Sequence, residues 1–206
     1  MELNAKIGQM LMAGFRGLSA GPADPIIRDI REYHLGGVVL FDYDVPLSSS
    51  ERNIKSFAQV HALINALRMA SVEPLLVAVD QEGGQVRRLR EAVEFPSLPS
   101  AQVLGERGDP AWTCELAAET ARALSSLGFN LNLAPVVDLN LNPQNPVVGG
   151  SERSYSADPN VVVAHARAFI EGHRQHGLPC TLKHFPGHGS SADDSHMDLV
   201  DVTQSW

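Results

Sequence analysis

Leu75-Leu-Val-Ala-Val79 runs without a polar interruption and passes directly into Asp80-Gln-Glu-Gly-Gly84. A short continuous apolar run rich in Val and Leu suits a strand covered on both faces, as in a parallel sheet. Four further runs have the same form: Met10-Leu-Met-Ala-Gly-Phe15, Gly37-Val-Val-Leu-Phe41, Leu131-Asn-Leu-Ala-Pro-Val-Val137 and Cys180-Thr-Leu-Lys-His-Phe185. Helix patterns lie between them. From Ser50 to Met69 the residues Ile54, Phe57, Ala58, Val60, Leu63, Ile64 and Leu67 recur at three- and four-residue spacings and predict one buried helical face. Asp109-Pro110 predicts a helix start, an N-cap followed by an N1 proline, and Gly128 its stop. Asp158-Pro159 and Gly177 repeat the arrangement. Strand alternating with helix argues for an α/β fold with parallel strands.

Polar residues gather just after the strands. Phe41 leads into Asp42-Tyr-Asp44, Val79 into Asp80, Val137 into Asp138, and Phe185 into Pro-Gly-His-Gly189. Ligands in parallel α/β folds sit at the carboxyl ends of the strands, so these loops are expected side by side around one site.

Composition removes several function classes. The 206 residues are 44% apolar, which excludes a wholly disordered chain. No apolar run approaches the roughly 18 residues needed to span a membrane, and Met1-Glu-Leu-Asn-Ala-Lys-Ile has no signal-peptide profile. A formal charge of −8 argues against a phosphate grip on nucleic acid. The two cysteines, Cys114 and Cys180, show no disulfide framework. The expected compartment is the cytoplasm.

The densest chemistry is Lys183-His-Phe-Pro-Gly-His-Gly189 followed by Asp193-Asp-Ser-His196. Three readings compete. His184, His188, His196 and Asp194 are metal-ligand types, but Pro186 and Gly187 break the helix that an i, i+4 ligand pair uses. Pro-Gly also suits a plain surface turn. The third reading is acid–base chemistry. In an extended segment Asp194 and His196 share a face. The carboxylate can then accept the imidazole Nδ1 proton and raise the basicity of the other nitrogen. An imidazole of pKa about 6.5 exchanges a proton at neutral pH.

These stretches resemble glycoside hydrolase family 3, its N-terminal barrel domain on the β-N-acetylglucosaminidase branch. The resemblance rests on Ile7-Gly-Gln-Met-Leu-Met-Ala-Gly-Phe15, Gly36-Gly-Val-Val-Leu-Phe41, Val79-Asp-Gln-Glu-Gly-Gly-Gln-Val-Arg-Arg88, Leu133-Ala-Pro-Val-Val-Asp138, Glu152-Arg-Ser-Tyr155, Lys183-His-Phe-Pro-Gly-His-Gly189 and Asp194-Ser-His196. It implies a TIM-type (β/α)8 barrel and retaining hydrolysis of terminal β-linked N-acetylglucosamine, including muropeptide-derived substrates of cell-wall recycling. It implies an acid/base dyad at Asp194 and His196. The sugar-binding residues it implies are Asp80, Arg88, Arg153, Lys183 and His184, converging on one pocket. No cofactor or metal is implied.

By residue type alone, several of these have plainer readings. Arg88 could be a solvated charge beside Arg87 and Arg90, Asp80 a turn residue, and Arg153 a surface partner of Glu152. Asp193 reads as a loop carboxylate. His61, His165, His173 and His176 read as surface or packing residues. Asp138, Asn140 and Asn142 read as shaping a turn, and Trp112, Met10 and Met12 as core.

The family's nucleophilic aspartate lies well downstream of the Asp-Ser-His stretch, whereas Trp206 follows His196 by ten positions. A full barrel usually takes about 250 residues. The expectation is therefore a single domain over residues 1–206 that holds about the first five β/α units of an incomplete barrel. Such a chain would be inactive alone and prone to self-association through open sheet edges. The alternatives are a metal-dependent hydrolase using His184, His188 and His196, and a non-catalytic sugar-binding fragment.

Overall fold

A computed structural model of the chain describes residues 2–90 and 95–202. In chain order its elements are α1 (Leu3–Gln9), β1 (Met12–Gly14), α2 (Pro25–Glu32), β2 (Gly37–Val39), α3 (Phe57–Ala70) and β3 (Leu76–Val79). There follow β4 (Gln81–Gly83), β5 (Val86–Arg87), α4 (Ala101–Arg107), α5 (Pro110–Leu127), β6 (Leu131–Asn132) and α6 (Pro159–Arg174). They fall into two compact units, one of residues 1–80, 88–96 and 123–132, the other of residues 81–87, 97–122 and 133–206.

The first unit is built on a four-stranded parallel sheet in the order β1-β2-β3-β6. Ala13 faces Val38, Val38 faces Val77, and Ala78 faces Leu131 in register. The parallel α/β class expected from the apolar runs is thus present. Val38, Val77, Ala78 and Val79 are fully buried, as are Val60, Ile64 and Leu67 on the apolar face of α3. The side chain of Asn130 stitches the end of the sheet: its amide oxygen accepts from Val77 N at 2.6 Å and its amide nitrogen donates to Leu75 O at 2.9 Å.

Two expectations change in this unit. The helix predicted from Ser50 begins only at Phe57. Asn53 holds the preceding stretch out of helix: its buried side chain accepts from Phe41 N at 3.1 Å and donates to Phe15 O at 3.3 Å and Gly17 O at 3.1 Å. Ser56 then caps the helix by accepting from Gln59 N at 3.2 Å. Met10, read as core, instead closes α1 and is 85% exposed. The stop of α5 is as predicted, with Gly128 at φ +101°, a backbone conformation that glycine adopts without steric cost.

The second unit packs α4, α6 and residues 110–122 of α5 with the antiparallel pair β4–β5. Leu98, Ala117, Ala134 and Phe169 form one buried cluster, and Leu104, Tyr155 and Val162 another. The helix starts are as expected: Asp109 accepts from Trp112 N at 3.2 Å and Asp158 from Asn160 N at 2.8 Å, each before a proline. Trp112 is half-buried, packed on the Leu104, Tyr155 and Val162 cluster and under the Arg107 guanidinium, 3.8 Å from its ring centroid, so it lies at the edge of the core. His165 and His173 are buried packing residues, His61 and His176 exposed.

The fourth and fifth apolar runs are not full strands. Only Leu131–Asn132 joins a sheet, because Pro135 has no N–H to continue the ladder. Beyond it, residues 134–137 and 181–183 lie side by side through Thr181 N to Ala134 O at 3.0 Å, Lys183 N to Pro135 O at 3.2 Å and Val137 N to Lys183 O at 2.7 Å. Val136 and Lys183 make a parallel bridge there. The Lys183–His184 and Phe185–Pro186 peptides are both cis. Among the described residues no helix is long and apolar enough to cross a membrane.

Candidate functional site

In the first unit, Asp80 follows directly on β3. Arg88 lies with its guanidinium 4.0 Å from Asp80 and 3.6 Å from Asp42, and 5.7 Å from the centroid of the Phe41 ring. Its side chain is 26% exposed. It is therefore not the solvated charge that residue type alone suggests, but a cation shared between two carboxylates. Arg90 approaches Asp42 at 3.5 Å from the same side of the sequence.

In the second unit, Arg153, Lys183 and His184 come together around two carboxylates. Glu82, on β4, accepts from Arg153 Nε and Nη2, both at 2.7 Å, and from Lys183 Nζ at 2.6 Å. Arg153 therefore pairs with Glu82, 71 residues away in sequence. Asp138, 4% exposed, accepts from His184 Nδ1 at 2.6 Å and His184 N at 3.2 Å through Oδ2, and from His188 N at 2.7 Å through Oδ1. Burial pushes the Asp138 carboxyl up, but the bonds from the His184 ring and the two backbone N–H groups hold it below the ordinary carboxylate value.

An open cavity of about 420 Å³ has Asp138, Lys183, His184, Phe185 and Gly187 in its wall. That is within the range of sites for small organic ligands. The turn behind it is packed closely against the backbone: a Cβ on Gly189 would stand 1.7 Å from Leu139 O.

Asp194 and His196 form a pair of their own. Asp194 Oδ1 accepts from His196 Nδ1 at 2.7 Å and from His196 N at 2.9 Å. Those two bonds, the backbone one first, lower the Asp194 carboxyl below its usual value. The segment is not extended, as the shared-face argument assumed. It is a turn, with Met197 N bonded to Asp194 O at 3.0 Å, and the carboxylate reaches the ring by first capping the backbone two residues on. The His196 side chain is 73% exposed.

His188 joins this segment to the cavity wall. Its Nε2 lies 2.9 Å from Ser195 Oγ, and its Nδ1 lies 3.1 Å from Ser191 Oγ and 3.3 Å from Asn145 Nδ2. Asn145 Oδ1 accepts from Val147 N and Val148 N, and its nitrogen donates to Ser191 Oγ at 2.6 Å and to His188 O and Ser191 O, both at 2.9 Å, which holds the His188 turn in place.

The metal reading changes accordingly. His184 turns to Asp138, His188 to Ser195 and Asn145, and His196 to Asp194. Among the described residues no group of three or more His, Cys, Asp or Glu is placed to hold an ion. Glu82 and the bonding role of Asp138 were missed by sequence reasoning. Asp138 occupies the same position after an apolar run that singled out Asp80, and that rule applied evenly would have found it.

The match that decides the lineage covers nearly the whole chain: residues 2–205 fit the glycosyl hydrolase family 3 N-terminal domain. The chain belongs to glycoside hydrolase family 3. A β-hexosaminidase of Xylella fastidiosa strain M23 is 44% identical over 202 residues, covering 94% of this chain and 55% of that protein. β-Hexosaminidase A of Pseudoalteromonas piscicida is 35% identical over 95% of this chain and 34% of its own. Among solved structures, a family 3 β-N-acetylglucosaminidase from Paenibacillus sp. str. FPU-7 matches with TM-score 0.85 and 38% identity, over 95% of this chain and 35% of that one. NagZ from Neisseria gonorrhoeae, solved with N-trifluoroacetyl-D-glucosamine, matches with TM-score 0.80 and 29% identity, over 92% of this chain and 53% of that one. This family 3 chain spans about half the length of the first Xylella relatives it matches.

Proposed function

We propose that this chain supplies the sugar-holding and acid/base parts of a β-N-acetylhexosaminidase that cleaves terminal β-linked N-acetylglucosamine with retention. The observation that carries the reading is the 2.7 Å bond between Asp194 Oδ1 and His196 Nδ1 on an exposed turn of a family 3 chain. With Nδ1 committed to the carboxylate, Nε2 is the atom left to exchange a proton. In the first step His196, protonated, donates from Nε2 to the leaving glycosidic oxygen while a carboxylate nucleophile attacks the anomeric carbon. In the second, neutral His196 takes a proton from the attacking water. Asp194 stays ionised throughout and offsets the imidazolium charge.

Lys183 and Arg153 are the donors assigned to sugar hydroxyls, and His184 offers a ring nitrogen to them. Asp80 and Arg88 are assigned sugar contacts of their own in the first unit. The nucleophile is assigned outside residues 1–206, as the family resemblance implies. The fold that accompanies this reading is an incomplete (β/α)8 barrel domain whose sheet opens with β1, β2, β3 and β6.

The test joins residues 1–206 to the downstream half of the Xylella fastidiosa relative. The chimera is expected to release the chromophore from a chromogenic β-N-acetylglucosaminide, with a β-configured first product by NMR. The 206-residue chain alone is expected to show no turnover. A folded chimera without activity, or an α-configured first product, would sink the proposal.

A further inference from the structure

We infer that Asp138 is a positioning residue that fixes His184 as a hydrogen-bond acceptor for a sugar hydroxyl and, through its other oxygen, ties the His188 turn to the same point. The inference rests on the sugar-binding reading of His184 given above. Its basis is the division of labour within one carboxylate. Oδ2 lies 2.6 Å from His184 Nδ1, and Oδ1 lies 2.7 Å from His188 N.

The protonation of His184 follows from its two neighbours. An ionised carboxylate only accepts, so Nδ1 at 2.6 Å carries the proton. On the opposite edge of the ring, Arg153 Nη2 is 3.5 Å from Nε2. A guanidinium only donates, so a proton on Nε2 would face another donor. Both partners select the same tautomer, with Nδ1 protonated and a lone pair on Nε2. Lys183 and Arg153 offer only N–H donors and already engage the Glu82 carboxylate, so the Nε2 lone pair, approached by Arg153 only at 3.5 Å, is an acceptor left for a hydroxyl proton.

The second oxygen gives Asp138 its reach. His188 N is held by Oδ1, and the His188 ring in turn meets Ser195, the residue between Asp194 and His196. Gly187, at φ +136°, brings the chain over the carboxylate, where a Cβ would lie 3.6 Å from Oδ1. One side chain thus sets both the ring that would receive the sugar and the turn that leads to the proposed acid/base pair. An asparagine at this position presents an amide nitrogen to one of these donors. A glutamate keeps both oxygens but moves them outward by one methylene.

The experiment reads the imidazole directly. Side-chain 15N–1H spectra of the 206-residue chain and of Asp138→Ala, which removes both acceptor oxygens, give the tautomer of His184, assigned with His184→Gln. Calorimetric titration with N-acetylglucosamine gives the affinity. The wild-type ring is expected in the Nδ1–H form, and Asp138→Ala is expected to populate the Nε2–H form as well and to bind the sugar on the order of tenfold more weakly. Asp138→Glu is expected to recover part of both. A wild-type His184 carrying its proton on Nε2 overturns the inference even if Asp138→Ala does not fold. So does a tautomer that Asp138→Ala leaves unchanged. A wild-type chain with the expected tautomer but no sugar binding overturns the sugar-binding reading instead, and with it the purpose assigned to His184.

Discussion

Glu82 grips Arg153 along one edge of the guanidinium, with Nε and Nη2 each 2.7 Å from a different carboxylate oxygen and the Glu82 side chain only 6% exposed. The same carboxylate receives Lys183 at 2.6 Å. Removing one member of a buried ion pair costs about 3–5 kcal/mol, because the remaining charge loses its counter-charge while still out of water. Glu82→Ala is therefore expected to destabilise the chain by about 3 kcal/mol, seen as a lower urea midpoint. Lys183→Ala is expected to cost less, since the two-point contact with Arg153 survives. If both variants unfold at the wild-type midpoint, this carboxylate does not organise the cluster.

The acid limb of the stability curve has a separate origin. His173 is fully buried, and burial, opposed in part by its bond to Phe169 O, pushes its pKa down to about 4. The unfolded chain binds that proton near the ordinary value of about 6.5. Between the two values the unfolded state holds more protons than the folded one, so stability rises with pH. Lowering the pH from about 6.5 to about 4 is expected to remove about 3 kcal/mol through this group. Asp138, held below the usual carboxylate value, adds a further loss only at lower pH. Urea unfolding at pH 7 and pH 4.5 measures the slope, and His173→Leu is expected to flatten it. An equal slope in wild type and variant would remove His173 from the account.

Legibility in the sequence follows the range of the interactions involved. The β2 and β3 runs and the starts of α5 and α6 were readable because a strand pattern, an N-cap and an N1 proline are local signals. The late start of α3 was not, because it is set by Asn53 reaching Phe15 and Gly17 across more than thirty residues. The same holds for the site. Asp194 and His196 are two positions apart, and their contact could be anticipated from spacing. Glu82 meets Arg153 71 residues away, and Asp138 meets His184 46 residues away, so neither contact leaves a mark in local pattern. Residue type was silent too: Glu152 beside Arg153 gives no hint that Glu82 is the two-point partner.

Asn53 shows how one polar side chain can fix a loop. It is fully buried and serves three backbone groups in the first unit, Phe41 N, Phe15 O and Gly17 O. Truncation removes a partner from each of these part-buried groups, Phe15 O keeping Arg52 Nε at 3.1 Å, at about 1–3 kcal/mol for each group left unsatisfied. Asn53→Ala is expected to lower stability by about 2–3 kcal/mol in urea unfolding and to expose the 42–56 segment to limited proteolysis. Asn53→Asp keeps the acceptor for Phe41 N but loses both donors, and is expected to be no better. Resistance of the segment to protease in Asn53→Ala would show that other contacts hold it.

The proposed roles of His196 and Asp194 separate in kinetics of the active chimera. His196→Ala removes the proton donor, and the rate on a natural disaccharide is expected to fall on the order of 10²–10⁴-fold. A dinitrophenyl leaving group needs no proton, so its release in the first step is expected to suffer far less. The second step still lacks a base, and the glycosyl intermediate accumulates. Azide, an anionic nucleophile that needs no deprotonation, is then expected to restore turnover and yield a glycosyl azide. Asp194→Asn can keep an oxygen on both His196 N and Nδ1, since the one Oδ1 serves both, but removes the negative charge that offsets the imidazolium. That variant is expected to slow cleavage of the disaccharide, though less than His196→Ala does. If His196→Ala cleaves the disaccharide at the wild-type rate, or if azide accelerates no variant, the exposed pair at Asp194 and His196 is not the proton-transfer centre.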